Sequence, residues 1–178
     1  MNRTLKNSSE TKKLAGSLAR HIVRDSRRES PPSPKLWRAG ALRPRNATVV
    51  ALIGDLGAGK TTFAQGFARG LGIRQRITSP TFIMVRRYAL PVPRSAFHVS
   101  HSRFHVPRFT NFFHIDCYRI KKAKELASLG VKKILNDPHN IVLIEWADKI
   151  KKMLPPGARV IRFAHGGHEN HRHVDMLE

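Results

Sequence analysis

Between Gly54 and Thr62 the chain reads Gly-Asp-Leu-Gly-Ala-Gly-Lys-Thr-Thr, directly after the apolar run Val49-Val50-Ala51-Leu52-Ile53. Glycine, four residues, then Gly59-Lys60-Thr61 is the spacing of a phosphate-binding loop, and here a strand precedes it and a helix follows. Its chemistry is the grip on a nucleoside triphosphate. The backbone N–H groups of Asp55, Leu56, Gly57, Ala58, Gly59, Lys60, Thr61 and Thr62 can turn inward as an anion nest, reinforced by the positive end of the following helix. Lys60 reaches the β- and γ-phosphates, and the Thr61 hydroxyl is placed for Mg²⁺. A Cβ at Gly57 or Gly59 would block the backbone's approach or force a costly positive φ.

Two carboxylates, Asp116 and Glu145, end predicted core strands. Ligands in open α/β sheets bind beyond the carboxyl ends of the strands, so both acids can converge on a metal beside Thr61. Asp116 is the better metal candidate. Glu145 follows the all-apolar Ile141-Val142-Leu143-Ile144 and is the better group for orienting the attacking water, while also counting as a metal ligand. Either acid could instead cap a following helix. Ser79 and Thr81 flank Pro80 in a polar loop; they can report on the γ-phosphate or simply bond their own turn, and spacing alone favours the turn. His165, His168, His171 and His173, like His98, His101 and His105, have histidine spacing without cysteine and read as loop or tail. Cys117 reads as a small buried residue, with no neighbour to activate it as a nucleophile.

Positioning these groups requires alternating strands and helices. A helix from Ser8 or Ser9 to about Val23 is predicted from Leu14, Leu18 and Ile22 at four-residue spacing. Residues 24–46 hold Pro31, Pro32, Pro34 and Pro44 among arginines, and read as an exposed basic insertion with Leu36 and Trp37 as its apolar anchors. A buried strand from Thr48 feeds the loop, and the helix from Lys60 to about Leu71 buries Phe63, Phe67 and Leu71. A strand is predicted at Phe82-Ile83-Met84-Val85, then an irregular loop over 89–110. Strands follow at 111–116 and 141–144, with short helices between them that turn Leu126 and Leu129 inward. A helix to about Leu154, a strand over 159–163 and a last edge strand over 172–176 complete the reading. Residues 165–178 as a whole are expected to be a flexible tail. The pattern implies one domain, 1–178, of α/β class: a three-layer fold of the P-loop NTPase type, with a largely parallel central sheet and antiparallel edge strands.

Composition bounds the setting. A chain of 178 residues can bury its own core, and one cysteine allows no internal disulfide. Residues 1–6 hold no apolar signal stretch and no apolar run is long enough to cross a membrane, so a cytoplasmic protein is expected. The formal charge is +21, from 33 Lys and Arg against 12 Asp and Glu. Such a surface favours polyanions, nucleic acid first.

Several strings occur in a fixed order: Ser9-Glu10-Thr11, GDLGAGKTTF at 54–63, SPTF at 79–82, His114-Ile115-Asp116-Cys117-Tyr118-Arg119 and Ile144-Glu145-Trp146. Together they resemble the bacterial TsaE (YjeE-like) family, small ATPases of tRNA threonylcarbamoyladenosine biosynthesis. The resemblance covers about 8–23, 47–88 and 111–164. It implies a Mg²⁺-dependent ATPase that assists the heterodimer installing threonylcarbamoyl on adenosine 37 of tRNAs reading ANN codons, without performing the transfer. It gives Lys60 and Thr61 to phosphate and Mg²⁺, Asp116 to the metal, and Glu145 to hydrolysis. It sets Trp146 near the nucleotide and Thr81 in a switch-like loop. The resemblance implies that Arg172 stands for a late arginine of the family. The insertions at 24–46 and 89–110 depart from the family. A small-molecule or nucleoside kinase, with 86–108 as a lid, and a nucleotide-switched RNA-binding protein are the competing readings.

Overall fold

In the computed structural model, residues 2–28, 46–91, 109–122 and 124–177 are described. Most of the predicted basic insertion, with Leu36 and Trp37, lies outside them. So does 92–108, with His98, His101 and His105.

Seven strands form one sheet: β1 (Asn2–Leu5), β2 (Thr48–Gly54), β3 (Val85–Ala89), β4 (Asn111–Asp116), β5 (Asn140–Glu145), β6 (Arg159–His165) and β7 (Arg172–Leu177), in the order β1-β7-β6-β2-β5-β4-β3. The centre is parallel: β2 pairs with β5 and β6, and β4 with β5. Both sides finish antiparallel, through β3 on β4 and through β7 between β6 and β1. Every residue of β5 is buried, as expected of a strand covered on both faces.

Helices α1 (Ser8–Arg28) and α2 (Lys60–Gly70) cover one face of the sheet. Phe63, Phe67, Phe112 and Phe163 meet there, with ring centroids 5.5–6.3 Å apart along the chain of contacts. The short helices α3 (Lys124–Ser128) and α4 (Val131–Leu135), with the 3₁₀ segment Ala147–Met153, cover the other face over Ile115, Val142 and Ile144. That is the predicted three-layer α/β arrangement.

Several local expectations are corrected. The cap of α1 is Asn7, whose Oδ1 accepts the Glu10 N–H at 3.0 Å, while Glu10 reaches back to the Lys6 N–H at 2.8 Å. The helix passes Val23 and runs to Arg28, so residues 24–28 are regular. A His21–Asp25 pair at 2.8 Å supports that last stretch, and the first proline comes later, at Pro31. The strand expected at 82–85 starts only at Val85. The N–H groups of Ile83 and Met84 both turn back to the Pro80 carbonyl, which makes 81–83 a turn. Leu129 faces solvent, unlike Leu126, because the chain turns at 129–130. Of the predicted tail over 165–178, the described residues 165–177 are ordered into the sheet: β7 is hydrogen-bonded on both sides, and the edge belongs to β1. The sequence reading missed β1 because four residues, three of them exposed, carry no burial pattern.

Candidate functional site

The carboxyl ends of β2, β4 and β5 open into a cavity of about 320 Å³. Gly54 ends β2 at φ 123°, with the Phe163 carbonyl O of β6 only 1.9 Å from where a Cβ would stand. No other residue fits while β2 and β6 stay paired. The loop then turns through Gly59 at φ 101°, the residue before α2.

Lys60 is buried, and its Nζ donates to the carbonyls of Gly54 and Asp55, both at 2.6 Å. The same ammonium sits 3.8 Å over the Trp146 ring. Burial lowers its pKa from the ordinary 10.5; the charges of Glu145, Asp148, Asp55 and Asp116 oppose that shift and are outweighed.

Thr61 donates its hydroxyl to Glu145 Oε2 at 2.8 Å, so loop and strand β5 are joined at the cavity. Glu145 Oε1 lies 2.8 Å from His114 Nε2 of β4, with both side chains buried. Asp116 lies beside Glu145 in the sheet register. Its Oδ2 has the hydroxyls of Ser79 and Thr81 at 2.5 and 2.6 Å, and its Oδ1 accepts the Tyr118 N–H at 2.8 Å. Thr81 is therefore tied to a strand-end carboxylate, a contact that simple turn chemistry does not require.

Of the residues singled out from the sequence, Leu56, Gly57, Gly59, Lys60, Thr61, Thr62, Ser79, Thr81, Asp116, Glu145 and Trp146 line this cavity. Asp55 and Ala58 do not. Asp55 acts through its backbone, holding Lys60 and the Ala58 N–H, and Ala58 is core. Cys117 is buried, and burial with Asp116 beside it pushes its thiol up to about 12, the state of an inert thiol.

Four contributors escaped functional assignment from the sequence. Tyr118 lines the cavity and lies 5.2 Å from Trp146, ring centre to ring centre. His114 backs Glu145. Arg172 of β7 donates through Nε to the Gly57 carbonyl at 3.2 Å, and the His165 Nε2 lies 3.0 Å from the Leu56 carbonyl O. Spacing could have found His114, two residues before Asp116 on the same strand face. Nothing local could have found Arg172 and His165, which reach the loop only because β6 pairs with β2 and β7 with β6.

Two non-glycine residues beside the site hold left-handed backbones: Trp146 at φ 58°, directly after Glu145, and Met84 at φ 61°, after the 81–83 turn. Each conformation costs roughly 1–2 kcal/mol, and such strain concentrates at ligand clamps and switch segments.

The groups here that could hold a metal are all oxygen donors: the Thr61 hydroxyl and the Asp116 and Glu145 carboxylates. It suits a hard cation. Two carboxylates and a hydroxyl do not make a protein cage, so the set fits Mg²⁺ shared with substrate phosphates better than a resident ion.

Comparison with known proteins identifies relatives of this chain. A family model described as "Threonylcarbamoyl adenosine biosynthesis protein TsaE" matches residues 5–174. The tRNA threonylcarbamoyladenosine biosynthesis protein TsaE of Rickettsia prowazekii is 36% identical over 133 residues, covering 74% of this chain and 77% of that protein. The protein of the same name from Haemophilus influenzae is 28% identical over 136 residues, 76% of this chain and 73% of that one. Among solved structures, YdiB of Bacillus subtilis superposes with a TM-score of 0.61 at 26% identity, covering 99% of this chain and 83% of that chain.

Proposed function

The chain belongs to the TsaE family, and from that membership we propose that it is a Mg²⁺-dependent ATPase serving threonylcarbamoyladenosine formation at position 37 of tRNAs that read ANN codons. The observation that carries the ATPase reading is the convergence of Lys60, Thr61, Asp116 and Glu145 on one cavity floored by the glycine loop.

The chain's own residues divide the work. The loop N–H groups and Lys60 receive the phosphates, and the ammonium exchanges the Gly54 and Asp55 carbonyls for phosphate oxygens. Thr61, Asp116 and Glu145 would hold Mg²⁺, which when bound offsets charge on the γ-phosphate. Glu145, fixed on two sides, orients water. Thr81 shares Asp116 with Ser79, so a change at Asp116 is felt by the 81–83 turn. No arginine of the described residues is aimed at the catalytic groups. Arg119 stacks on Phe82 at 4.4 Å, and Arg172 serves the loop's own backbone. Turnover of the protein alone is expected to be slow.

The partner is the threonylcarbamoyl-transferring heterodimer. Leu56 and Tyr118 line the cavity and are exposed, and Phe82 and Ile83, next to the lining residue Thr81 in the chain, are large, apolar and exposed too, a surface on which a partner could sense the nucleotide state.

The test is phosphate release from MgATP by the parent protein and Lys60→Ala, alone and with the heterodimer and tRNA. Parent turnover should rise when the partners are added, and Lys60→Ala should lose roughly 100-fold or more in both settings. Calorimetry that detects no MgATP binding would sink the ATPase reading; turnover indifferent to the partners would sink the accessory role.

A further inference from the structure

His114 is fully buried on β4, yet it is polar and only half satisfied. Its Nε2 lies 2.8 Å from Glu145 Oε1. Its Nδ1 is buried and makes no hydrogen bond among the described residues. The ring stacks on Phe112, 6.4 Å between centroids and 17° from parallel, so an apolar ring would fill this place without leaving a ring nitrogen unpaired. Keeping an imidazole where one nitrogen goes without a partner is unfavourable unless its other nitrogen has a use.

Its single contact locates that use. Glu145 closes β5, and its carboxylate has two oxygens to place. Oε2 accepts from Thr61 at the cavity, and Oε1 is held from behind by His114. A carboxylate accepts only, so Nε2 carries the hydrogen. Without that donor the carboxylate would lose its buried partner and could rotate about its last torsion, which is intrinsically broad.

We infer that His114 is a positioning residue: it donates from Nε2 to Glu145 and fixes which carboxylate oxygen faces the Thr61 hydroxyl and the reacting water. This rests on the ATPase reading above. His114 does not line the cavity and acts through Glu145 alone. Groups that orient a ligand or base from behind typically matter by about 10- to 100-fold.

The experiment compares the parent with His114→Phe, which keeps a ring against Phe112, and His114→Gln, whose side-chain N–H can reach the Nε2 position. Each is made also in the Glu145→Gln background. His114→Phe should lower kcat roughly 10- to 100-fold while the calorimetric Kd for MgATP moves less than about threefold. His114→Gln should recover most of the loss. In the Glu145→Gln background, His114→Phe should cost no further activity. A readout without nucleotide accompanies these: in histidine-labelled protein, one Nε2-bound proton signal should vanish in His114→Phe and shift in Glu145→Gln. An unchanged kcat in His114→Phe, a further loss in the Glu145→Gln background, or no recovery with Gln would overturn the inference. If His114→Phe does not fold, His114→Gln at parental rate supports it, and His114→Gln with the full loss overturns it. A parent protein that hydrolyses no MgATP would instead fail the underlying reading, while the proton signals would still show whether His114 holds Glu145.

Discussion

At the scale of single residues, Lys60 shows what the site costs the fold. Its ammonium is buried and held by two backbone carbonyls, and its pKa is lowered because desolvation outweighs the surrounding carboxylates. The unfolded chain therefore binds this proton more tightly than the folded one. The sign follows: the penalty is in force below the folded value, and stability rises with pH as Lys60 loses its proton, up to the ordinary 10.5. Denaturant titrations of the nucleotide-free protein should show this rise, and Lys60→Met should be flatter across the same window; parallel curves would contradict the assignment. Nucleotide affinity should move the opposite way, weakening as the ammonium is lost. Lys60, Thr61, Asp116 and Glu145 were all legible from residue type and place in the chain. His114 was visible in the sequence but without a role, because its role depends on a neighbouring strand.

At the scale of elements, the loop is carried by an unusually close helix pair. A Cβ on Gly66 of α2 would lie 2.5 Å from the Lys12 backbone of α1, and one on Gly70 would lie 2.5 Å from the Gly16 carbonyl O. Backbone meets backbone here, with Ala15 and Ala19 buried alongside. Two effects oppose each other in Gly70→Ala. Helix propensity favours alanine by about 1 kcal/mol, whereas overpacking costs typically about 1–3 kcal/mol, and a main chain cannot swing aside as a side chain does. Packing should win. We expect Gly66→Ala and Gly70→Ala to lower the urea midpoint, and Gly167→Ala, whose Cβ meets nothing, to leave it in place. An increase for either helix variant would mean that α1 shifts freely over α2. The sequence located α2 by its phenylalanines but gave no sign of which glycines were contact surface and which, like Gly72 at φ 86°, were turn.

At the scale of the whole molecule, charge and shape act separately. Charge is a property of composition, and +21 is enough to draw polyanions. Lys12, Lys13, Arg20 and Arg24 are exposed along α1, on the sheet face opposite the 3₁₀ segment. Affinity for tRNA should fall steeply and linearly on a log–log plot against salt, with a slope of about −0.9 for each duplex phosphate contacted. Filter binding over a salt series checks this; a flat response would leave the charge without an RNA role. Shape decides the rest. Both sheet edges are antiparallel, and the amino-terminal strand closes one of them over β7.

The sequence alone was enough for the layer pattern and for picking out the candidate loop and strand-end acids, because these rest on local rules: loop spacing, residue type at strand ends and the alternation of apolar periods. Tertiary structure alone could bring His114 behind Glu145, Arg172 and His165 onto the loop, and Thr81 to Asp116. Those contacts join residues 31 to 115 positions apart. Strand order sets them, and no short window of sequence records which strands will lie side by side.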